Sequence, residues 1–573
     1  MCINVKQKHS TTHYGKYKSK PRSNVSQAYQ CLTRWKAHKG KVIASAVTSF
    51  KGNNYFITGA NDNDVCIWQI PDEAPEEPSS DDAEDEDVCI STLREFVSYK
   101  TISSRPEFAE DCHKGANFLG TLFKRMGGHV EMLTGGSDKA HNPTVLATFS
   151  GKLEPAEERK RILFYGHYDV VAADSKKGKW ISDPFELHGR DGYLYGRGVT
   201  DNKGPIVAAL FAVTDLMEAK ALDNDIIFLI EGEEEFGSRT FQDTVQKNKA
   251  KIGHVDYILL ANSYWLDDEV PCLTYGLRGV LHASACVDAS HPDRHSGVDG
   301  SCLSNEPLWD LTSILSNLKN KNNRVMIPGF YDHILPATPE EDARFDEIAT
   351  IMMRRRPQDG PLEKQKALLK ARWREPNLTI HRYKVSGPDG SLVSSHASAK
   401  FSFRLVPGQE VDDVIESLAE FLEGEFAKLD SGNTFTLKID NKAEPWLGDP
   451  TSEIYRTLEE VVMEAWKDIF DHKNGAVGNG TVTHGEGESS TNGDGAKAVN
   501  RAAVAVSRPK RPLYIREGGS IPAIRYLEKE FGAPAAHLPC GQASDSAHLD
   551  NERLRVLNLM KSREIFGLVF SRL

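Results

Sequence analysis

The sequence predicts an α/β protein: a mostly parallel sheet covered by helices, interrupted by an inserted α+β domain. Three observations carry this. VLATFSG, RILFYGHYDVV, DIIFLIEGE and VDYILLANSYW are short apolar runs, rich in β-branched and aromatic residues, and read as strands. GPIVAALFAVTDLMEAKAL stands between two of them, long enough for a helix and apolar on most faces. Such alternation builds parallel strands joined by crossover helices. Further on, SCLSNEPLWDLTSILSNL, AKFSFRLVPG, EVDDVIESLAEFLEGEFAKL and TFTLKI read as helix, strand, helix and strand, a different rhythm that marks the insert.

Taken in order, residues 1–30 are polar, basic and free of acids, and read as a disordered tail. Residues 31–70 carry two alternating apolar runs, WKAHKGKVIASAVTSF and YFITGANDNDVCIWQI, around a polar turn. With His38, Asp64 and Trp68, the unit resembles one blade of a WD-repeat propeller; the plainer reading is a lone β-hairpin. One blade cannot bury its own faces, so a blade here predicts others elsewhere or a different packing partner. Residues 71–87, PDEAPEEPSSDDAEDED, hold ten acids and read as a solvated linker. The first part of a catalytic domain is expected over 88–276, the insert over 277–443, as a lid and dimerisation domain, and the second part over 444–573. Seven glycines among the 22 residues Asn474–Gly495 predict a flexible loop over 474–510.

The formal net charge of −12 lies mostly in the ten acids of the linker, so the body has no basic footprint for nucleic acid. Nine cysteines, an odd number with no CxxC pair, point to a reducing compartment. No apolar run reaches the roughly 18 residues of a membrane span, and the start lacks an apolar signal core. A cytoplasmic location is expected, with a transit peptide as the alternative.

In an open α/β sheet, function collects beyond the carboxyl ends of the strands, and four chemistry-bearing segments fall there. FYGHYDVV supplies His167 and Asp169; GRGVTDNKGP supplies Asp201, just ahead of a helix. EGEEEFGS supplies Glu233, Glu234 and Glu235, and SDSAHLDNERL supplies His548. A single His or Asp at a strand end is ordinarily a satisfied structural group; four such segments together outweigh that reading. One histidine and one or two carboxylates per ion, with a carboxylate to bridge, suit a pair of Zn2+ ions. An unligated glutamate beside them can act as a base.

In this order and spacing the segments resemble the co-catalytic zinc amidohydrolases of peptidase clan MH, the family of carnosinase, cytosolic dipeptidase, glutamate carboxypeptidase and acetylornithine deacetylase. HxD, GRGxxDxKG and EGxEExGS carry the resemblance over roughly Val88–Leu573, and YGLRG, HSG, KFSFRLVPG and REGGSIP follow in the expected order. With the blade-like unit and acidic linker in front, the chain looks most like the fungal, WD-repeat-bearing branch that works in glutathione breakdown.

The resemblance implies His167 as a ligand of one zinc and Asp169 as the catalytic-site partner that fixes its imidazole. It implies Asp201 as the bridging carboxylate, ahead of a cis Asp201–Asn202 bond, Glu234 as the general base, and Glu235 with His548 as ligands of the second zinc. Glu233 reads as a solvated acid. The family's remaining ligand is an aspartate 27 residues after the ligand glutamate, and Asn262 stands there. A neutral amide is a poorer zinc partner, which implies a weakened or empty first site. His295 of HSG resembles the histidine that reaches into the partner subunit's site and steadies the oxyanion, which implies a homodimer; a surface histidine is the plainer reading. Arg374 in ARWREPNLTI, or less strongly Arg372, matches a clamp for a substrate carboxylate. Ser520 in REGGS matches a substrate contact, and Arg404 is read as core strand with no chemistry.

The function implied is zinc-dependent hydrolysis of amide bonds in small peptides, of the di- and tripeptidase or carboxypeptidase type, with glutathione and γ-glutamyl peptides favoured. Two readings compete. One is a partly degenerate peptidase that serves as scaffold for a glutamine-amidotransferase-like partner; the other is an N-acyl amino acid deacylase.

Overall fold

The computed structural model describes residues 2–4, 31–34, 42–50, 53–60, 65–70, 80–134, 141–173, 178–300, 304–355, 360–388, 390–470 and 510–573. His38, Asp64 and nearly all of the glycine-rich 474–510 loop lie outside the described residues. The chain divides into two units.

The smaller unit is Met1–Ser91 with Gly189–Tyr193. Strands Val42–Phe50, Asn53–Ala60 and Val65–Ile70 form an antiparallel meander in it. A three-stranded meander is common to a propeller blade and to many other sheets, so it does not make the unit a blade. Within the tail read as disordered, Cys2–Asn4 pairs antiparallel with Cys31–Arg34. Nor is the acidic run linker throughout: α1, Ser80–Ser98, begins inside it. Acidic sequence favours a helix start, at the positive end of the dipole, as well as solvated chain.

The larger unit is Thr92–His188 with Leu194–Leu573. It runs through α2 (Ala109–Arg125), β1 (His129–Leu133), β2 (Thr144–Phe149), β3 (Arg161–His167), α3 (Lys203–Glu218), β4 (Asp225–Glu231), β5 (Tyr257–Leu260) and β6 (Cys272–Leu277). The insert follows as β7 (Gly279–Asp288), α4 (Pro307–Ser316), β8 (Asn377–Val385), β9 (His396–Leu405), α5 (Val411–Ala427) and β10 (Thr434–Ala443). The chain returns with β11 (Trp446–Leu447), β12 (Leu513–Glu517), α6 (Pro522–Phe531), β13 (Ala535–His537) and α7 (Val556–Arg572).

Nine strands form the main sheet in the order β11-β6-β13-β5-β3-β4-β2-β1, with β12 beside β6. Pairing is parallel at the centre, β3 with β4 and β5, and β5 with β13. It is antiparallel where β2 meets β4 and β1, and where β6 meets β11 and β13. The mostly parallel sheet expected from sequence is therefore mixed. Parallel pairs need a crossover such as α3, whereas antiparallel neighbours can follow a short return, as β1 and β2 do. All seven residues of β4 are buried, as the apolar run DIIFLIE requires of a strand covered on both faces. On one face α3 packs with α7, where Phe164 meets Phe566 edge-on at 5.5 Å between ring centres.

The insert is a four-stranded antiparallel sheet, β8-β9-β7-β10, with α4 and α5 against it. Leu281, Leu315, Phe401, Phe403 and Leu418 form its core. β8 is an edge strand, and its Ile380, Tyr383 and Val385 are exposed. Among the described residues, no helix is long and apolar enough to cross a membrane.

Candidate metal centre and active site

Parallel register brings the strand ends together. Glu231, last in β4, pairs opposite His167, last in β3, and Leu260, last in β5, pairs with Tyr165 and with His537. The chain beyond these ends, with the loop before α3 and the loop after β13, gathers the predicted side chains at one edge.

Asp201 divides its two carboxylate oxygens between two histidines. Oδ1 is 3.0 Å from His167 Nε2 and Oδ2 is 3.0 Å from His548 Nε2. Glu235 Oε1 lies 3.1 Å from the same His548 nitrogen. Ligating atoms of His167, Asp201 and Glu235 all fall within 4.8 Å of one another. The Asp201–Asn202 peptide bond is cis.

Asp169 organises the approach of the glutamates. Its carboxylate accepts the backbone N–H groups of Glu234 (3.1 Å) and Glu235 (3.0 Å) and the Ser103 hydroxyl (2.6 Å). Its carbonyl oxygen is 3.1 Å from His167 Nδ1. The Asp201 loop is held by Glu552, a residue the sequence did not single out. Buried Glu552 pairs with Arg197 at 2.7 Å and accepts the N–H groups of Gly198, Thr200 and Asp201. It lies four residues after His548, so it ties the His548 loop to the Asp201 loop.

The electrostatics follow from this crowding. Burial opposes a charge on Asp201, but its bonds to His167 and His548 outweigh that and hold the carboxyl well below the usual range. Bonds to Asp201 and Glu235 push His548 up to about 11. A divalent cation competes with that proton for the same lone pair. Burial, with Glu235 and Asp201 close by, pushes Glu234 well above the usual carboxylate range against the pull of His167.

Glu234 and Asp201 line a cleft of ≈ 700 Å³, with Asn262, Tyr264, Glu517, Ser520 and His548 among the other walls. Glu517, also unpredicted, takes hydrogen bonds from the hydroxyls of Ser263 and Thr274 and has no cation partner among the described residues. Ser520 donates to the Arg278 carbonyl and accepts from Arg404 Nη1 at 3.1 Å. Arg404 has no carboxylate partner among the described residues, and burial lowers its pKa. Arg404 lies in β9, as the strand reading expects, and its guanidinium reaches Ser520 on the cleft wall.

Other predicted residues fall elsewhere. Arg374 pairs with buried Glu341 at 3.2 Å, and Arg516 pairs with the same carboxylate at 2.8 Å, so its fork is used inside the protein. His295 is exposed on the insert and does not line the cleft of its own chain. Glu233 is buried rather than solvated, because Asn142 N–H, His141 and Arg239 surround its carboxylate at 3.2–3.3 Å. Those partners lie about 90 residues away or across a turn, out of reach of local sequence reading.

The donor chemistry can be tested against a divalent ion. Glu235 Oε1 is buried with no aligned hydrogen-bond donor, and Asp201 and His548 converge on it. One imidazole and two carboxylates fit zinc there. At His167 the third residue is Asn262, whose Nδ2 faces the imidazole Nε2 at 3.3 Å, while its Oδ1 accepts the Ser263 N–H. That set does not fit a second ion equally well.

Comparison with known proteins agrees with this geometry. The profile of peptidase family M20/M25/M40 matches residues 163–571. A Saccharomyces cerevisiae protein named probable di- and tripeptidase DUG2 is 34% identical over 96% of this chain. The alignment spans only 61% of that relative's length. The Cys-Gly metallodipeptidase DUG1 of Candida albicans is 28% identical, over 83% of this chain and 93% of its own. The crystal structure of human carnosine dipeptidase 1 superposes with a TM-score of 0.65 at 25% identity, covering 86% of this chain and 98% of that one. The chain belongs to peptidase family M20/M25/M40.

Proposed function

We propose that the chain is a metal-dependent hydrolase of amide bonds in di- and tripeptides. The observation that carries this is a carboxylate, Asp201, shared between two histidines, with half-buried Glu234 on the wall of the same cleft. Asp201, Glu235 and His548 would hold the ion, and their nitrogen and oxygen donors suit zinc. When bound, such an ion supplies Lewis-acid activation of water and of the scissile carbonyl.

The chain's own groups do the rest. Glu234 accepts the proton of the attacking water and returns it to the leaving amine, and its raised proton affinity suits a group that must carry a proton mid-reaction. Asp169 positions it by holding its backbone N–H. Arg404 and Ser520 receive the substrate's carboxylate, in the role expected of Arg374, and Glu517 offers a charge to a free ammonium at the other end. The insert pairs two copies, so that His295 serves the cleft of the partner and steadies the oxyanion. The edge strand β8, with its exposed Ile380, Tyr383 and Val385, supports that pairing. The names of the yeast relatives support di- and tripeptides as substrates; Cys-Gly and γ-glutamyl peptides of the glutathione type are the first to assay. A cytoplasmic site of action belongs to the same reading, supported by the free thiols of Cys112, Cys286 and Cys540.

Glu234→Gln should lower kcat by roughly 10²–10⁴-fold with the fold intact, measured on Cys-Gly with zinc-loaded protein. Asn262 favours a second reading, a scaffold for a glutamine-amidotransferase-like subunit. Activity on glutathione that needs such an added protein and survives Glu234→Gln would decide for the scaffold.

A further inference from the structure

The two poles of the Asp201 carboxylate are not equivalent. At one, His548 Nε2 is 3.0 Å from Asp201 Oδ2 and 3.1 Å from Glu235 Oε1, and that last oxygen has no aligned donor. At the other, His167 Nε2 faces the Asp201 carboxylate and a neutral amide, and its Nδ1 faces a backbone carbonyl. Nδ1 is 3.1 Å from the Asp169 carbonyl; Nε2 is 3.0 Å from Asp201 Oδ1 and 3.3 Å from Asn262 Nδ2.

Asn262 is fixed in that orientation. Its Oδ1 accepts the N–H of Ser263, whose φ of 69° makes the turn tight. That oxygen, the only amide atom able to ligate a cation, is turned toward the backbone and away from His167. The backbone cannot drift to compensate, because Asn202 Nδ2 donates to the Ala261 carbonyl and His537 Nε2 lies 2.8 Å from the Asn262 carbonyl. Charge points the same way. One divalent ion balances Asp201 and Glu235; a second would have a neutral amide as its third neighbour beside His167 and the shared Asp201.

The geometry points to a one-ion centre: a single divalent cation held by Asp201, Glu235 and His548, with His167 a positioning residue that orients Asp201 by hydrogen bonding and is not a ligand. This rests on the metal-dependent reading above and adds how many ions there are and where. Asn262 excludes the second ion because its one ligating atom, Oδ1, is turned to the Ser263 N–H.

The test is metal content. The full chain is stripped with EDTA, reloaded with Zn2+, desalted, and zinc per chain is measured by mass spectrometry. Wild type should hold one ion, His167→Gln should still hold one, His548→Ala should lose it, and Asn262→Asp should hold two. Zinc should also raise the Tm of wild type and His167→Gln alike but not of His548→Ala, a readout that separates ligand loss from misfolding. Two ions in wild type, loss of the ion in His167→Gln, retention in His548→Ala, or one ion in Asn262→Asp would each overturn the proposal. Two ions in wild type would leave metal-dependent hydrolysis standing, whereas no zinc at all would sink both.

Discussion

Glu517 is the residue whose surroundings set the sharpest expectation. Burial pushes its carboxyl up to about 7, and hydrogen bonds from Ser263 and Thr274 only partly offset that. Between the ordinary carboxylate range and pH 7 the folded chain holds a proton that the unfolded chain has released. Stability therefore falls as pH rises through that window and stays low above it. Glu517→Gln has no such proton to lose. At pH 8 it should be more stable than wild type by up to about 3 kcal/mol, and at pH 4 no different, measured by urea unfolding of metal-free protein; an equal difference at both pH values would refute the burial argument. Neither Glu517 nor Glu552 was legible in sequence, because what distinguishes them is contact with residues hundreds of positions away. His167, Asp201, Glu235 and His548 were legible because their chemistry is written in short motifs at strand ends. Asn262 was legible as a departure, but the orientation of its amide was not, since that is set by the Ser263 N–H.

At the scale of elements, the short 3-10 turn Glu234–Phe236 shows how a strand end becomes a site. Its first two N–H groups have no intrahelical acceptor, and the Asp169 carboxylate takes both. Asp169→Asn keeps the size but puts an NH2 group where one of the two acceptor oxygens stands. With two charge-assisted bonds weakened, stability should drop by about 2–4 kcal/mol, and kcat should fall because Glu234 moves with its backbone; urea unfolding alongside Cys-Gly hydrolysis checks both. Unchanged kcat in a folded Asp169→Asn protein would show that Asp169 is not what positions the base. Strands β3 and β4 and helix α3 were readable from apolar runs of the right length. The antiparallel flanks of the sheet were not, since a strand's direction leaves no trace in its own composition. The start of α1 inside an acidic run was missed for a related reason: acids favour both solvated chain and the first turn of a helix.

For the whole molecule, the prediction concerns His295, exposed on the insert, and the proposal that it serves the cleft of a second copy. His295 pairs with Leu392 in a two-stranded ladder of the insert, apart from the four-stranded sheet β8-β9-β7-β10, whose edge strand exposes apolar side chains. If the insert pairs two copies by a two-fold axis, each cleft is completed by the partner's His295. Subunit mixing makes this testable without a structure of the pair. Glu234→Gln alone and His295→Ala alone should each be nearly inactive as homodimers. In the mixed dimer, the His295→Ala subunit keeps its own Glu234 and receives the partner subunit's His295, so its cleft is whole; the other cleft lacks both groups. Half of the dimers in an equal mixture are mixed and half of their clefts work, so activity should return to about a quarter of wild type after unfolding and refolding together. No recovery, in a mixture shown by light scattering to be dimeric, would mean that His295 acts within its own chain or not at all.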